Sequence, residues 1–162
     1  MGAISGAARQ SHHTTINPVT GLAGDYLNHF HEIYLILRYV TDDPALIEDM
    51  QNWSPRTYVS HFEQSPLLDR ADVIAAYAAV PPITRSRFDS LCEEAGRVIA
   101  TGLQVLIAAG ANGGAANIAP AAEALADEVK SYLDQLDAII HARTTPIRSI
   151  DQLKSALASS GR

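Results

Sequence analysis

The chain has 162 residues, a length that suits one domain with a substantial hydrophobic core. Its formal net charge is −6, with 12 Lys and Arg against 18 Asp and Glu, so we expect neither a nucleic-acid surface nor a membrane-binding basic patch. Cys92 is the only cysteine, which excludes an internal disulfide and a multi-cysteine metal site and fits a cytoplasmic location.

The first predicted helix follows an N-terminal segment, residues 1–19, that we expect to be a flexible tail. Thr20 is a suitable cap for a helix over residues 22–39, since a threonine oxygen accepts a hydrogen bond from a free N–H of the first turn. A Pro-containing break at 41–44 ends that helix. A short helix is predicted next, over residues 45–50.

Two serine–proline pairs predict two further helix starts. Ser54 precedes Pro55 and Ser65 precedes Pro66. Serine is a favoured N-cap, and proline fits the first helical position because the N–H that it lacks would have no partner there. The predicted helices span residues 55–64 and 66–79.

Two long amphipathic helices, over residues 84–109 and 118–141, are predicted in the second half. Apolar side chains recur every three or four residues in both. The stretch 98–122 carries no ionisable side chain, but it contains a glycine-rich segment at 110–114. We therefore interpret it as two helices joined by a turn and not as a transmembrane span.

These elements predict an all-α fold, an up-down helical bundle of three to four long helices with shorter ones. We expect the bundle domain to cover residues 20–144. A capping-box pattern predicts a short C-terminal helix within residues 145–162, followed by a tail. The sequence shows no run of alternating β-branched residues and no internal repeat.

A group of polar side chains on the first long helix is the strongest candidate for chemistry. At about 100° per residue, Asp25, His29 and Glu32 share one arc of the helix, and His61 is available from a second element. Carboxylate and imidazole groups at this spacing suit Zn, Fe or Mn. One functional hypothesis is therefore a metal-binding protein or metal-dependent enzyme that uses Asp25, His29, Glu32 and His61.

The competing interpretation of this arc is structural. Di-metal bundles usually carry Glu-x-x-His on two helices, whereas this chain has the reversed order, His29-x-x-Glu32, and has it once. The polar arc would then face water or form structural hydrogen bonds. Trp53 and Tyr58 are interpreted as aromatic anchors under a loop, with a ligand groove as the alternative. Cys92 lies on an apolar stripe, which predicts a buried and inert thiol.

Several segments of the first half together form a recognisable pattern. They are Thr20–Phe30, Trp53–Tyr58, His61-Phe62 and Ile74–Tyr77. The pattern resembles a family of small uncharacterised bacterial all-helical proteins. The resemblance implies a helical fold and a bacterial source, and it carries no activity.

The main functional hypothesis is a non-enzymatic helical bundle that acts as a binding or regulatory module. It rests on strong core patterning and on the lack of a complete catalytic set of residues. We expect self-association, as a homodimer or another homo-oligomer, because the alanine-rich long helices allow a second copy to approach closely. A small molecule or another protein is the further expected partner, and enzymatic activity is left open.

Overall fold

The computed structural model describes residues 14–143, and helices are the only regular elements in that range. A 3-10 turn at Gly24–Leu27 precedes six α-helices: α1 (Asn28–Tyr39), α2 (Leu46–Asn52), α3 (Tyr58–Glu63), α4 (Arg70–Ala78), α5 (Pro82–Gly113) and α6 (Ala115–Ile140). The all-α fold class is thus confirmed, whereas the up-down bundle stays a prediction. The C-terminal helix expected within 145–162 lies outside the described residues.

The two long helices α5 and α6 form a hairpin that is joined by a single residue. Gly114 has a φ of +73°, in the left-handed region that glycine adopts without strain. The glycine-rich turn predicted at 110–114 is therefore too long, because α5 continues to Gly113 and Gly114 alone joins it to α6. Pro120 lies inside α6, where it removes one helical hydrogen bond. No helix in the described range is long and apolar enough to span a membrane.

The first long helix starts later than its sequence predicts. Residues 24–27 form the 3-10 turn, and α1 begins at Asn28. Thr20 is not its cap: the Thr20 hydroxyl donates a hydrogen bond of 2.6 Å to the carbonyl oxygen of Ile140 at the end of α6. Because the last carbonyls of a helix have no partner within the helix, this buried bond satisfies one of them and attaches Thr20 to the C-terminal end of α6.

Both helices predicted from serine–proline pairs start later than expected, so these two predictions are wrong at their N-termini. The helix α3 begins at Tyr58 and is capped by Thr57, whose hydroxyl oxygen accepts a hydrogen bond of 3.2 Å from the N–H of Ser60. The Ser65 hydroxyl oxygen accepts from Leu67 at 3.2 Å in a local turn, and α4 begins only at Arg70. The short helix predicted at 45–50 is confirmed as α2.

The core has α6 between α1 and α5, with aromatic side chains concentrated around the short helices. The first residues of the described range are also bonded to the helical part of the protein. Thr14 donates two hydrogen bonds, from its N–H at 2.8 Å and from its hydroxyl at 3.0 Å, to the carboxylate of Asp69. The largest fully buried side chains are Tyr26, Phe30, Phe62, Phe88, Leu22, Ile33, Met50, Ile99, Leu106, Ile118, Leu136 and Ile140.

Candidate ligand-binding cavity

A cavity of about 490 Å³ lies between the short helices and the first half of α5. This volume falls within the roughly 300–1,000 Å³ that is typical of small-molecule sites. Its lining comes from the 3-10 turn, the extended segment before α3, and helices α3, α4 and α5. The lining residues are Tyr26, Pro55, Arg56, Thr57, Tyr58, Val59, Tyr77, Asp89, Cys92, Glu93, Gly96, Arg97 and Ala100.

One wall of the cavity is the segment 53–57, which is held against the core by three hydrogen bonds. The indole N–H of Trp53 donates to the carbonyl oxygen of His29 at 3.1 Å. The backbone N–H of Arg56 donates to Nε2 of His29 at 3.0 Å, and the Arg56 carbonyl oxygen accepts from the hydroxyl of Tyr26 at 2.6 Å. Because Arg56 directs both backbone groups to distant side chains, the segment stays extended and does not start a helix.

Three tyrosines form the aromatic side of the cavity. The rings of Tyr58 and Tyr77 stack with centroids 4.7 Å apart, and Tyr26 packs at 5.3 Å from Tyr58. The hydroxyl oxygen of Tyr58 accepts a hydrogen bond of 2.8 Å from the N–H of Ala23. Burial raises the pKa of Tyr58 to about 12 and raises the pKa of Tyr26 further. All three hydroxyls are therefore neutral at physiological pH, since burial also raises the pKa of Tyr77.

Asp89 supplies a carboxylate to the cavity from α5. The Tyr77 hydroxyl lies 2.7 Å from both carboxylate oxygens of Asp89, and the side chain of Asp89 is half-buried. Arg85 lies over the ring of Tyr77, 5.9 Å from its centroid. Within residues 14–143, no basic nitrogen lies within 4.0 Å of the Asp89 carboxylate. Asp89 thus brings a negative charge to the cavity without a paired cation.

The thiol of Cys92 lies one helical turn along α5 from Asp89. Burial is the main cause that raises the pKa of Cys92 to about 12; the hydrogen bond with the Tyr26 hydroxyl opposes it, and the charges of Asp89 and Glu93 raise the pKa further. The thiol is therefore protonated at neutral pH, and a protonated thiol is a poor nucleophile and a poor metal ligand. This agrees with the inert thiol expected from the sequence, although Cys92 is only partly buried and lines the cavity.

His29 has a structural role behind the wall of the cavity. Its side chain is 5% exposed, and its ring stacks on Trp53 with centroids 4.8 Å apart and planes 12° apart. Burial, and after it the charges of His61 and Arg56, lower the pKa of His29 to about 4. The imidazole is therefore neutral at pH 7, and its Nε2 acts as the acceptor for Arg56.

The four predicted metal ligands are only partly brought together. The rings of His29 and His61 are neighbours, with centroids 6.2 Å apart, whereas Glu32 is exposed to solvent. Asp25 lines a second cavity, of about 370 Å³, with Asn28 and His141. In the part of the chain that the structure describes, no three His, Cys, Asp or Glu side chains are placed to hold one ion.

Among the four predicted metal ligands, His61 has a ring nitrogen whose hydrogen-bonding capacity is not satisfied. Its Nδ1 is buried and has no hydrogen-bond partner, the one such side-chain nitrogen or oxygen within residues 14–143. The ring packs edge-on against Tyr26 at 5.5 Å and against Phe62 at 5.1 Å. Burial, and after it the charge of Arg56, lower the pKa of His61, against smaller opposing effects of the charge and the backbone of Asp25. The uncharged ring is therefore favoured.

Most of the residues that line the cavity were not candidates in the sequence. Tyr58 was a candidate, because one interpretation of the sequence placed it in a ligand groove, and it does line the cavity. Asp89, Glu93 and Arg97 were not distinguished from the solvated face of a long helix. The available signal was their spacing of four residues along α5, next to Cys92, which places them on one face.

Comparison of this chain with protein-family models, with curated proteins and with solved structures found no match. The resemblance to small bacterial helical proteins therefore stays a prediction. The assignment of a function consequently depends on the geometry of the cavity alone.

Proposed function

We propose that this protein is a non-enzymatic helical binding protein whose ligand is a small organic molecule held in the cavity between α3 and α5. The observation that carries the proposal is the cavity itself: its volume of about 490 Å³ and its apolar and aromatic lining with a few polar groups. A concave, mostly apolar site with a small number of placed polar groups is the usual form of a small-molecule site.

The protonation states of the cavity favour binding over catalysis. Covalent catalysis by Cys92 would require a thiolate, but its pKa of about 12 keeps the thiol protonated. A histidine base should have a pKa near the working pH, whereas that of His29 is about 4 and its Nε2 is used by Arg56. The remaining hydroxyls belong to tyrosines with raised pKa values, which suits hydrogen bonding to a ligand.

The proposal is tested by filling the cavity. Ala100 lines it from α5, so Ala100→Leu places three extra carbons in the space that a ligand would occupy. The matched control is Ala108→Leu, an exposed position two turns further along the same helix and outside the lining. Both variants add the same side chain to α5, so they differ only in access to the cavity.

The readout is a two-dimensional ¹H–¹⁵N NMR titration with three probes of matched size: 2-phenylethylamine, 2-phenylethanol and phenylacetate. We expect at least one probe to shift the amide signals of Val59, Gly96 and Ala100 in the wild type and in Ala108→Leu. The same probe should bind Ala100→Leu at least about tenfold more weakly, because a filled pocket excludes the ring. Absence of shifts with all three probes would contradict the proposal.

Self-association is a separate proposal, and exposed apolar side chains on α1 support it. Leu35 and Tyr39 lie one helical turn apart and are 52% and 57% exposed, which forms an apolar patch on the outer face. Sedimentation-velocity ultracentrifugation should show a dimer that dissociates in the Leu35→Gln, Tyr39→Gln double variant. A wild-type monomer at high micromolar concentration would contradict this proposal.

A further inference from the structure

Asp89 is the least exposed of the four charged side chains that line the cavity, since Glu93, Arg56 and Arg97 are all exposed. Asp89 is half-buried within the lining, and its only close donor in the described residues is the hydroxyl of Tyr77. Glu93 follows one turn later on the same face of α5 and also lines the cavity. A carboxylate that is withdrawn from water without a cation leaves an unsatisfied charge, which an incoming cation would balance.

The charge of Asp89 also acts on two uncharged groups of the lining, the Tyr26 hydroxyl and the Cys92 thiol. The negative charge of Asp89 adds to burial in raising the pKa of both the Tyr26 hydroxyl and the Cys92 thiol. Asp89 therefore lies close to both groups within the lining of the cavity.

Glu93, Arg56 and Arg97 are all exposed, so solvent reaches all three of these charges. Water and salt screen exposed charges strongly, whereas a half-buried carboxylate is screened much less. The tyrosine rings supply aromatic surface beside this carboxylate. Charge complementarity within the cavity thus favours a ligand with a positive head and an apolar body.

We propose that the cavity takes a small organic amine, with its ammonium group on the Asp89 carboxylate and its apolar body among Tyr26, Tyr58 and Tyr77. This inference rests on the proposed binding function and adds the chemical class of the ligand. Asp89 accepts the ammonium hydrogens on lone pairs that the single Tyr77 hydroxyl leaves available.

The first test compares the three probes on the wild-type protein, because they differ mainly in the charge of the head group. We expect 2-phenylethylamine to bind at least about tenfold more tightly than 2-phenylethanol, the scale of a hydrogen bond to a charged group. Phenylacetate should bind most weakly, since its carboxylate meets Asp89. Equal binding of amine and alcohol, or tighter binding of phenylacetate, would overturn the assignment of an amine.

The second test removes the charge. Asp89→Asn keeps an oxygen that can accept the Tyr77 hydroxyl, so the local packing is preserved. The matched control is Glu94→Gln, which removes a carboxylate from the same helix outside the cavity and retains an acceptor for Tyr132. We expect Asp89→Asn to weaken amine binding by about tenfold to a hundredfold and to leave 2-phenylethanol binding within about twofold, with Glu94→Gln unchanged for both.

The two tests separate the inference from the proposed function. Binding of 2-phenylethanol or phenylacetate in the cavity, without preference for the amine, would retain a small-molecule site and exclude the amine. Amine binding that is unaffected by Asp89→Asn would also overturn the role of Asp89. If Asp89→Asn does not fold, the relative affinities of the three probes for the wild type still test whether the ligand is an amine.

Discussion

The Nε2 atom of His29 accepts a hydrogen bond of 3.0 Å from the backbone N–H of Arg56, which fixes one wall of the cavity to α1. The bond requires an unprotonated Nε2, and the imidazole proton must therefore lie on Nδ1. Protonation of His29 would place two N–H groups against each other at this position. The conformation of the segment 53–57 is thus linked to the charge state of a buried histidine.

This link predicts a loss of stability in mild acid. Unfolded His29 titrates near the ordinary pKa of 6.5, whereas burial lowers the pKa in the folded protein to about 4. As the pH falls, the unfolded chain takes up the proton first, so protonation favours unfolding. The contribution of His29 is complete above about pH 6.5 and is lost progressively toward pH 4. We expect a loss of about 3 kcal/mol, measured by urea unfolding across this range.

The variant His29→Gln isolates the effect, because the glutamine oxygen can accept from Arg56 at every pH. We expect it to be less stable at pH 7 by about 1 kcal/mol, from the lost stacking on Trp53, but to vary less between pH 6.5 and pH 4. His31→Gln is the control, since His31 is exposed on the same helix. An unchanged pH dependence in His29→Gln would show that another group causes the acid effect.

The regular part of the fold was predictable from sequence, and the reason is visible in α5 and α6. Their burial pattern repeats every three or four residues, so local periodicity alone indicates both helices. The start of α3 was not predictable in this way. The Ser54-Pro55 signal is local, but Arg56 bonds to His29 and Tyr26, which are 27 and 30 residues away in the sequence. Long-range hydrogen bonds override a helix-start signal that neighbouring residues provide.

The candidate site also depends on contacts between distant segments, which a local sequence pattern does not predict. The spacing of Asp25, His29 and Glu32 predicts one helical arc, but Asp25 lies in the 3-10 turn before α1, and the spacing does not show which of the three is buried. His29 is buried because Trp53, from another element, stacks on it. The cavity depends on five separate segments meeting around Asp89 and Cys92, and no spacing within one helix encodes that meeting.

A close approach of two backbones at the cavity leads to a second prediction. A Cβ atom built on Gly96 would lie 2.8 Å from the Cβ atom of Pro55, and a proline ring cannot rotate away. Replacing glycine by alanine inside a helix normally stabilises a protein by about 1 kcal/mol. At this position the steric conflict should exceed that gain, so we expect Gly96→Ala to destabilise the protein by about 1 kcal/mol and to displace the segment 53–57.

Gly110→Ala is the matched control for this effect. It lies in the same helix, and its new Cβ would lie no closer than 3.7 Å to Ile118, an ordinary contact. We expect Gly110→Ala to be more stable than the wild type by about 0.5–1 kcal/mol in urea unfolding. Equal stability of Gly96→Ala and Gly110→Ala would contradict this prediction, because Pro55 would then move aside without a loss of stability.

The metal hypothesis for Asp25, His29, Glu32 and His61 leads to the last prediction. A metal would need the Nε2 lone pair of His29, which already accepts from Arg56, and Glu32 would have to turn inward from solvent. We therefore expect less than about 0.1 equivalents of metal in untagged protein by plasma mass spectrometry, and no change in melting temperature with added Zn²⁺, Mn²⁺ or Fe²⁺.

The double variant Asp25→Asn, Glu32→Gln should behave like the wild type in both measurements, as should the control Glu123→Gln. Near-stoichiometric metal that is lost only in the double variant would instead establish a metal centre on α1, and the hydrogen bond to Arg56 would then have to break when the ion binds.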